Sequence, residues 1–371
     1  MCPKNHATSR AWVDGRWLKS GADKDASEGL LKLRHTPGPV CRIAVLRPNH
    51  RLGNTVLLTP LICELEAMFP GAEIELVTAG PAAHAVFAEF RQVSAVHAFP
   101  ARSFRRPGEV LGLLMALRRR SFDLAVDPEV RSRAGRFLLG QIQARDRLGF
   151  RWGVPRHDRM LTHAVARSVV SSHFAQAPVD LLRSVYAQRS DHESAAPLAM
   201  PTLTLRLTDA ERRGGAQRLA AILGAAHFAT RPCIGIYAHA TGAKCYPAAW
   251  WRRIIAALRE QEPGVQFIEF VPHDAIARFA GEIPVLFSTE LRRLGAALAA
   301  TSLLVSADCG VMHLASAGGA RVLGLFKTTD PVRYAPYGAE SEGVRASDEN
   351  PDAVVTRIRA MVTVTGSASN S

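Results

Sequence analysis

Five stretches of the chain carry residue types able to do chemistry. At Asp308-Cys309-Gly310 a carboxylate and a glycine break the apolar run Leu303 to Val305, and Met312, Leu314, Ala315 and Ala317 follow at helical spacing until Gly318 and Gly319. A helix starting at about Val311, just after a glycine, points free backbone N–H groups and a positive dipole end at the mouth of a sheet. That is a place for an anion. Thr241, Gly242 and Lys244 put a hydroxyl, a permissive backbone and a cation after the apolar run Cys233 to Tyr237, a set that suits a diphosphate. Arg47, Arg51, Gly53 and Asn54 form a cationic loop that ends in a glycine at a helix start. Asp127 closes the run Phe122 to Val126, with Arg131 and Arg133 just beyond, and an aspartate there either faces a ligand or caps the next helix. Glu290, before the helical stretch Leu291 to Ala300, is either a nucleoside contact or an acid placed by the helix dipole.

Each of these also reads as an ordinary strand-to-helix turn, so the elements around them matter. Apolar runs at Cys41 to Leu46, Glu73 to Val77, Ala95 to Ala98 and Phe122 to Asp127 alternate with helical stretches up to Phe69, at Pro81 to Phe90 and at Gly108 to Arg119. A small, polar and proline-containing segment, Asp191 to Pro201, reads as a linker. Beyond it come an expected strand at Thr202 to Leu205 and a capping-box start at Thr208 and Glu211. Strands at Cys233 to Tyr237, Gln266 to Phe270, Val285 to Phe287 and Val322 to Phe326 follow. The expectation is an α/β chain with two Rossmann-like, doubly wound domains, 40–195 and 201–345. A tail, 1–39, precedes them, loosely docked or disordered around Trp12 and Trp17, and a final helix from Pro351 to Val362 lies within a C-terminal segment, 346–371.

The pattern D-x-G-x-x-H-L-A-x-A over Asp308 to Ala317, followed by Thr329-Asp330-Pro331, resembles the signature of glycosyltransferase family 9, the bacterial ADP-heptose:lipopolysaccharide heptosyltransferases and their relatives. Arg47, then G-[DN]-x-[VL]-x-x-T-P-[LA] and F-P-x-A-x-I-x-L-V up to Val77, match as well, as do Lys244-Cys245-Tyr246-Pro247 and the strand ending at Asp127. The resemblance runs from about Cys41 to Gly338 and implies the GT-B arrangement, two such domains facing across a cleft. It further implies an inverting, metal-independent displacement at the anomeric carbon of a nucleotide diphosphate sugar, ADP-heptose in the family, by a lipopolysaccharide-type acceptor. On this reading Thr241, Gly242, Lys244, Cys309, Gly310, His313 and Glu290 hold the donor and Asp308 and Lys244 serve the chemistry. Arg47, Arg51, Gly53, Asn54, Arg131 and Arg133 meet the acceptor.

One position departs from the family. Where relatives carry the aspartate thought to act as base, this chain has Asn54, and an amide takes no proton at neutral pH. Three alternatives stand: His50 or Asp127 serves instead, the acceptor needs little assistance, or the chain is a non-catalytic sugar-nucleotide-binding scaffold. A transferase with another donor or a capsule acceptor is a further reading. Val271-Pro272-His273-Asp274 replaces a glycine-rich turn common in relatives.

Composition fits an anionic partner. The net charge is +13, with arginines crowded between Arg118 and Arg159, by default a solvated face but also suited to phosphates and an anionic membrane surface. Motifs of nucleic-acid binding, the G-x-G-x-x-G dinucleotide fingerprint and the Walker sequence are absent, and so is any metal-ligand spacing or cofactor signature. The six scattered cysteines read as reduced thiols. Without an apolar span, the expected location is the cytoplasm, leaning at most on the inner face of a membrane.

Overall fold

A computed structural model describes residues 38–100, 105–186, 199–272, 276–338 and 340–367, and in it the apolar runs become two six-stranded sheets. The first contains β1 (Arg42–Arg47), β2 (Glu73–Thr78), β3 (Val93–Ala98), β4 (Ser121–Asp127), β5 (Gln143–Phe150) and β6 (His163–Val165), in the order β3-β2-β1-β4-β5-β6. The second contains β7 (Cys233–Tyr237), β8 (Gln266–Val271), β9 (Val285–Phe287), β10 (Leu303–Ala307), β11 (Val322–Phe326) and β12 (Glu342–Arg345), ordered β12-β11-β10-β7-β8-β9. Every neighbouring pair is parallel. Counted from its own first strand, each sheet has a doubly wound plan, with its direction reversing between β1 and β4 in the first and between β7 and β10 in the second. Ligands of such sheets collect outside the strand carboxyl ends at those crossovers. The central strands β7, β10 and β11 are buried along their whole length, as helices on both faces require.

The first half carries α1 (Leu52–Val56), α2 (Thr59–Met68), α3 (Ala82–Val86), α4 (Pro107–Arg118), α5 (Arg133–Gln141), α6 (Pro155–Asp158) and α7 (Ala177–Tyr186). The second carries α8 (Asp209–Leu223), α9 (Ala225–Thr230), α10 (Ala248–Gln261), α11 (Leu291–Ala299), α12 (Gly310–Gly318), α13 (Pro331–Tyr334) and α14 (Pro351–Ser367). The capping box at the start of α8 is formed: the Thr208 side chain accepts from the Glu211 N–H, and Glu211 accepts from the Thr208 N–H. Among the described residues no helix is long and apolar enough to cross a membrane.

The halves share one core. Val56, Leu61 and Leu65 from the first half belong to the same buried cluster as Leu203, Leu205, Leu294 and Leu314 from the second. Thr202 to Leu205, expected as a strand, joins no sheet. Its alternating leucines, Leu203, Leu205 and Leu207, are buried, but its backbone bonds elsewhere: Leu205 N–H to Ala317 O at 2.7 Å and Thr204 N–H to Thr59 Oγ1 at 3.2 Å. The segment is a strap across the two halves, and alternation alone does not tell a strap from a strand. The final helix extends past Val362 to Ser367. Residues 1–37, residues 187–198, which include most of the expected linker Asp191 to Pro201, and His273 and Asp274 lie outside the described residues.

Candidate functional site

At the second crossover the turn between β10 and α12 has Cys309 as N-cap, and no side chain closes the helix end. The Cys309 thiol faces the Val311 and Met312 N–H groups, and Asp308 beside it is 5% exposed. From the turn after β7, a short 3-10 helix at Gly242–Lys244 projects Lys244 so that its Nζ lies 2.7 Å from Asp308 Oδ2. Gly242 has φ +60, a conformation other residues adopt only with strain, while Thr241 and Gly242 remain exposed. The Thr329 hydroxyl donates to the same Asp308 oxygen. A carboxylate fixed by an ammonium and a hydroxyl beside an uncapped helix start pairs fixed negative charge with positive potential, a combination suited to a sugar linked to a diphosphate.

His313, one turn into α12, is 3% exposed and its Nδ1 has no hydrogen-bond partner. Burial, with Lys244 and His173 nearby, holds its pKa down to about 4 against the pull of Asp308, so the imidazole is neutral at pH 7. Against it lies the first half. A Cβ on Gly53 would stand 3.1 Å from His313 Cδ2 and 3.3 Å from Gly310 Cα, and one on Gly310 would stand 2.9 Å from the Gly53 nitrogen. The helix starts of α1 and α12 thus meet glycine to glycine, so that no side chain fits between the two loops. A second seam forms where Phe174 stacks on Tyr334, centroids 4.7 Å apart, and a His173 ring nitrogen meets Ala335 O at 3.0 Å.

Lys244, Asp308, Cys309, Gly310, His313 and Gly53 therefore come together, and other expected site residues do not behave as read from the sequence. Asp127 ends β4 with no exposure at all, its Oδ2 accepting from Arg136 Nε at 3.1 Å. Burial raises its pKa above the ordinary range while Arg136 pulls it back. With no exposure and an oxygen tied to Arg136, it does not face solvent as a site carboxylate would. Arg136, from the crowd taken as solvated, is equally buried. Arg47 is 4% exposed, its Nε 3.2 Å from Glu129 Oε1, so it seats a carboxylate rather than reaching into solvent, and burial lowers its pKa. Glu290 is exposed and paired with Arg293 at 2.9 Å. Arg51 and Arg131 are exposed, Arg133 is exposed at the start of α5, and Asn54 is half-buried on α1. Sequence reasoning missed Glu129 and His173 and gave Thr329 no role. Only the Thr329-Asp330-Pro331 motif held a signal for any of the three.

The sequence profile described as glycosyltransferase family 9 (heptosyltransferase) matches residues 110–361. No curated protein sequence gives a significant match. Among solved structures, a family 9 glycosyltransferase from Veillonella parvula is 17% identical, with 88% of this chain and 92% of that chain covered and a TM-score of 0.67. E. coli heptosyltransferase WaaC with ADP is 17% identical over 86% of this chain and 99% of its own, with a TM-score of 0.64. E. coli ADP-heptose lps heptosyltransferase II is 17% identical over 88% and 99%, with a TM-score of 0.63. At such identities the likeness shows the fold: two Rossmann-like halves in the GT-B arrangement.

Proposed function

Since this chain belongs to glycosyltransferase family 9, we propose that the sugar it transfers is a heptose, carried by ADP and delivered with inversion to an anionic, lipopolysaccharide-type acceptor. The observation that carries this reading is the Lys244–Asp308 pair at 2.7 Å beside the uncapped start of α12. Lys244 and the backbone N–H groups around Cys309 and Gly310 would neutralise the leaving diphosphate. Asp308, fixed by Lys244 and Thr329, would hold sugar hydroxyls and favour positive charge growing on the ring. The E. coli neighbour WaaC has been solved with ADP and with ADP-2-deoxy-2-fluoro heptose, which supports an adenosine diphosphate donor here.

An anionic membrane surface is the partner we infer for the acceptor half. There α4 and α5 expose Leu111 and Met115, each 52%, and Phe137, 46%, around a groove of about 580 Å³ lined by Phe99, Val110 and Arg133. Arg131, two residues before the lining Arg133, is exposed, on a chain of net charge +13. Melting curves with a panel of nucleotide sugars test the donor: ADP-heptose should raise the Tm most, because only a ligand of the native state does so. A larger shift from a UDP or GDP sugar would overturn that choice.

A further inference from the structure

A hydroxyl attacking the anomeric carbon has to lose a proton, and Asn54 offers no base for it. The carboxylates at the carboxyl end of the first sheet differ in what they leave free. Asp127 is sealed against Arg136. Asp158 accepts the Trp152 and Val154 N–H groups at 2.9 and 3.1 Å. Glu109 stands beyond the edge strand β3, 56% exposed and paired with Arg106.

Glu129 lies at the β1/β4 crossover, two residues past the end of β4, with its side chain 19% exposed. Its Oε1 is held from two sides, by Arg47 Nε at 3.2 Å and Asn49 Nδ2 at 3.3 Å, and its own N–H donates to Asp127 Oδ1 at 3.4 Å. Its seat is itself fixed. Asn49 accepts from the Arg51 N–H at 3.0 Å and from Thr78 Oγ1 at 3.4 Å, and the buried Arg47 has no room to swing out. Arg47 also faces Tyr334 of the other half, so this corner lies along the seam between the lobes. The second oxygen, Oε2, has no partner among the described residues.

We propose that Glu129 is the general base of the transfer, supplying from the β4 loop the carboxylate that α1 lacks at Asn54. The inference rests on the transferase reading above. Glu129 Oε2 takes the acceptor hydroxyl proton as that oxygen bonds to the anomeric carbon from the face opposite the diphosphate. The carbon–phosphate oxygen bond breaks, its electron pair leaves with the nucleoside diphosphate, and Glu129 later releases the proton to water. The charged groups facing this carboxylate are Arg47 on β1 and Asp127 on β4, and Tyr334 on α13 acts on Arg47 from across the seam.

The test uses the full chain with ADP-heptose and a truncated lipopolysaccharide acceptor, following ADP release across pH 5 to 9. Glu129→Gln keeps an oxygen for Arg47 and Asn49 but removes the charge that pairs the buried Arg47, so Tm should fall by several degrees. Assayed well below that Tm, ADP affinity should hold while kcat falls about 100- to 10,000-fold, the usual worth of a positioned base. Glu129→Asp, which keeps the charge but retreats by one methylene, should fall in between. Adding Asn54→Asp to Glu129→Gln should restore at least a tenfold rate, which a merely structural role for Glu129 does not predict. A parent that turns over beside a Glu129→Gln variant of equal rate refutes the base alone. So does a double variant that stays dead, or a His50→Ala variant that loses the rate while Glu129→Gln keeps it. A parent that binds ADP-heptose but transfers nothing refutes the transferase reading and the base with it.

Discussion

Replacing Lys244 by alanine removes the ammonium 2.7 Å from Asp308 Oδ2. In the free protein that ammonium neutralises a carboxylate only 5% exposed, and with donor bound it would be shared with the diphosphate. A hydrogen bond to a charged group contributes about 1.5–3 kcal/mol, which is roughly a 10- to 150-fold change in affinity at 25 °C. The Lys244 side chain is 30% exposed, which moves the expectation toward the lower part of that range. Its loss also leaves Asp308 uncompensated against an incoming anion, which pushes back toward the upper part. Titration calorimetry with ADP should therefore show Lys244→Ala binding about 30-fold more weakly than the parent, within a factor of about five either way. Asp308→Asn should bind ADP at least as tightly as the parent, since the ammonium is then free for the ligand, yet transfer sugar far more slowly. The Lys244 contribution should shrink in about 0.5 M salt, where charges are screened over a few ångströms. Equal ADP affinity of Lys244→Ala and the parent, with both folded, would refute the reasoning.

Three further outcomes follow from the same geometry. Gly310→Ala sets a methyl 2.9 Å from the Gly53 nitrogen and should cost about 1–3 kcal/mol, read as a Tm several degrees lower, whereas Gly112→Ala on α4, with nothing within 4 Å, should leave Tm unchanged or raised. His313 titrates near pH 4 when folded and near 6.5 when unfolded, so the unfolded chain binds the proton first. Stability from this group is present above pH 6.5 and is lost as pH falls toward 4, by roughly 3 kcal/mol. Denaturant titrations of the parent and His313→Gln should differ by that slope, and their difference isolates the imidazole from Asp127, whose raised pKa contributes with the opposite sign. Leu111→Glu and Phe137→Glu should each lower co-sedimentation with phosphatidylglycerol vesicles about fivefold, from about 1 kcal/mol of half-exposed apolar surface, without changing ADP affinity.

The buried strands were legible because a strand covered on both faces reads as an unbroken apolar run, as in Val322 to Phe326. β5 was not, since Gln143 to Arg147 lies half in solvent and carries Arg145, Asp146 and Arg147 in ion pairs and hydrogen bonds. The Asp308 and Lys244 turns could be found because glycine and local spacing fix them within a few residues. The direction of a side chain at a strand end depends on what packs against it from far along the chain. Asp127 and Glu129 are two residues apart and both are carboxylates. The helix α5 delivers Arg136 onto the first and buries it, while β1 brings Arg47 to only one oxygen of the second. No spacing rule separates them. His173 likewise gains its place only when its loop docks on Ala335 and Tyr337.

The central claim is that a nucleotide diphosphate sugar is opened between the two lobes and its sugar passed on. Intact-mass spectrometry of a truncated lipopolysaccharide acceptor, incubated with ADP-heptose and the purified chain, addresses it most directly. One added heptose per acceptor, with an equal amount of ADP released and neither product formed by Lys244→Ala within the same time, is the predicted result. An acceptor of unchanged mass, under conditions where ADP-heptose demonstrably binds, would contradict the account.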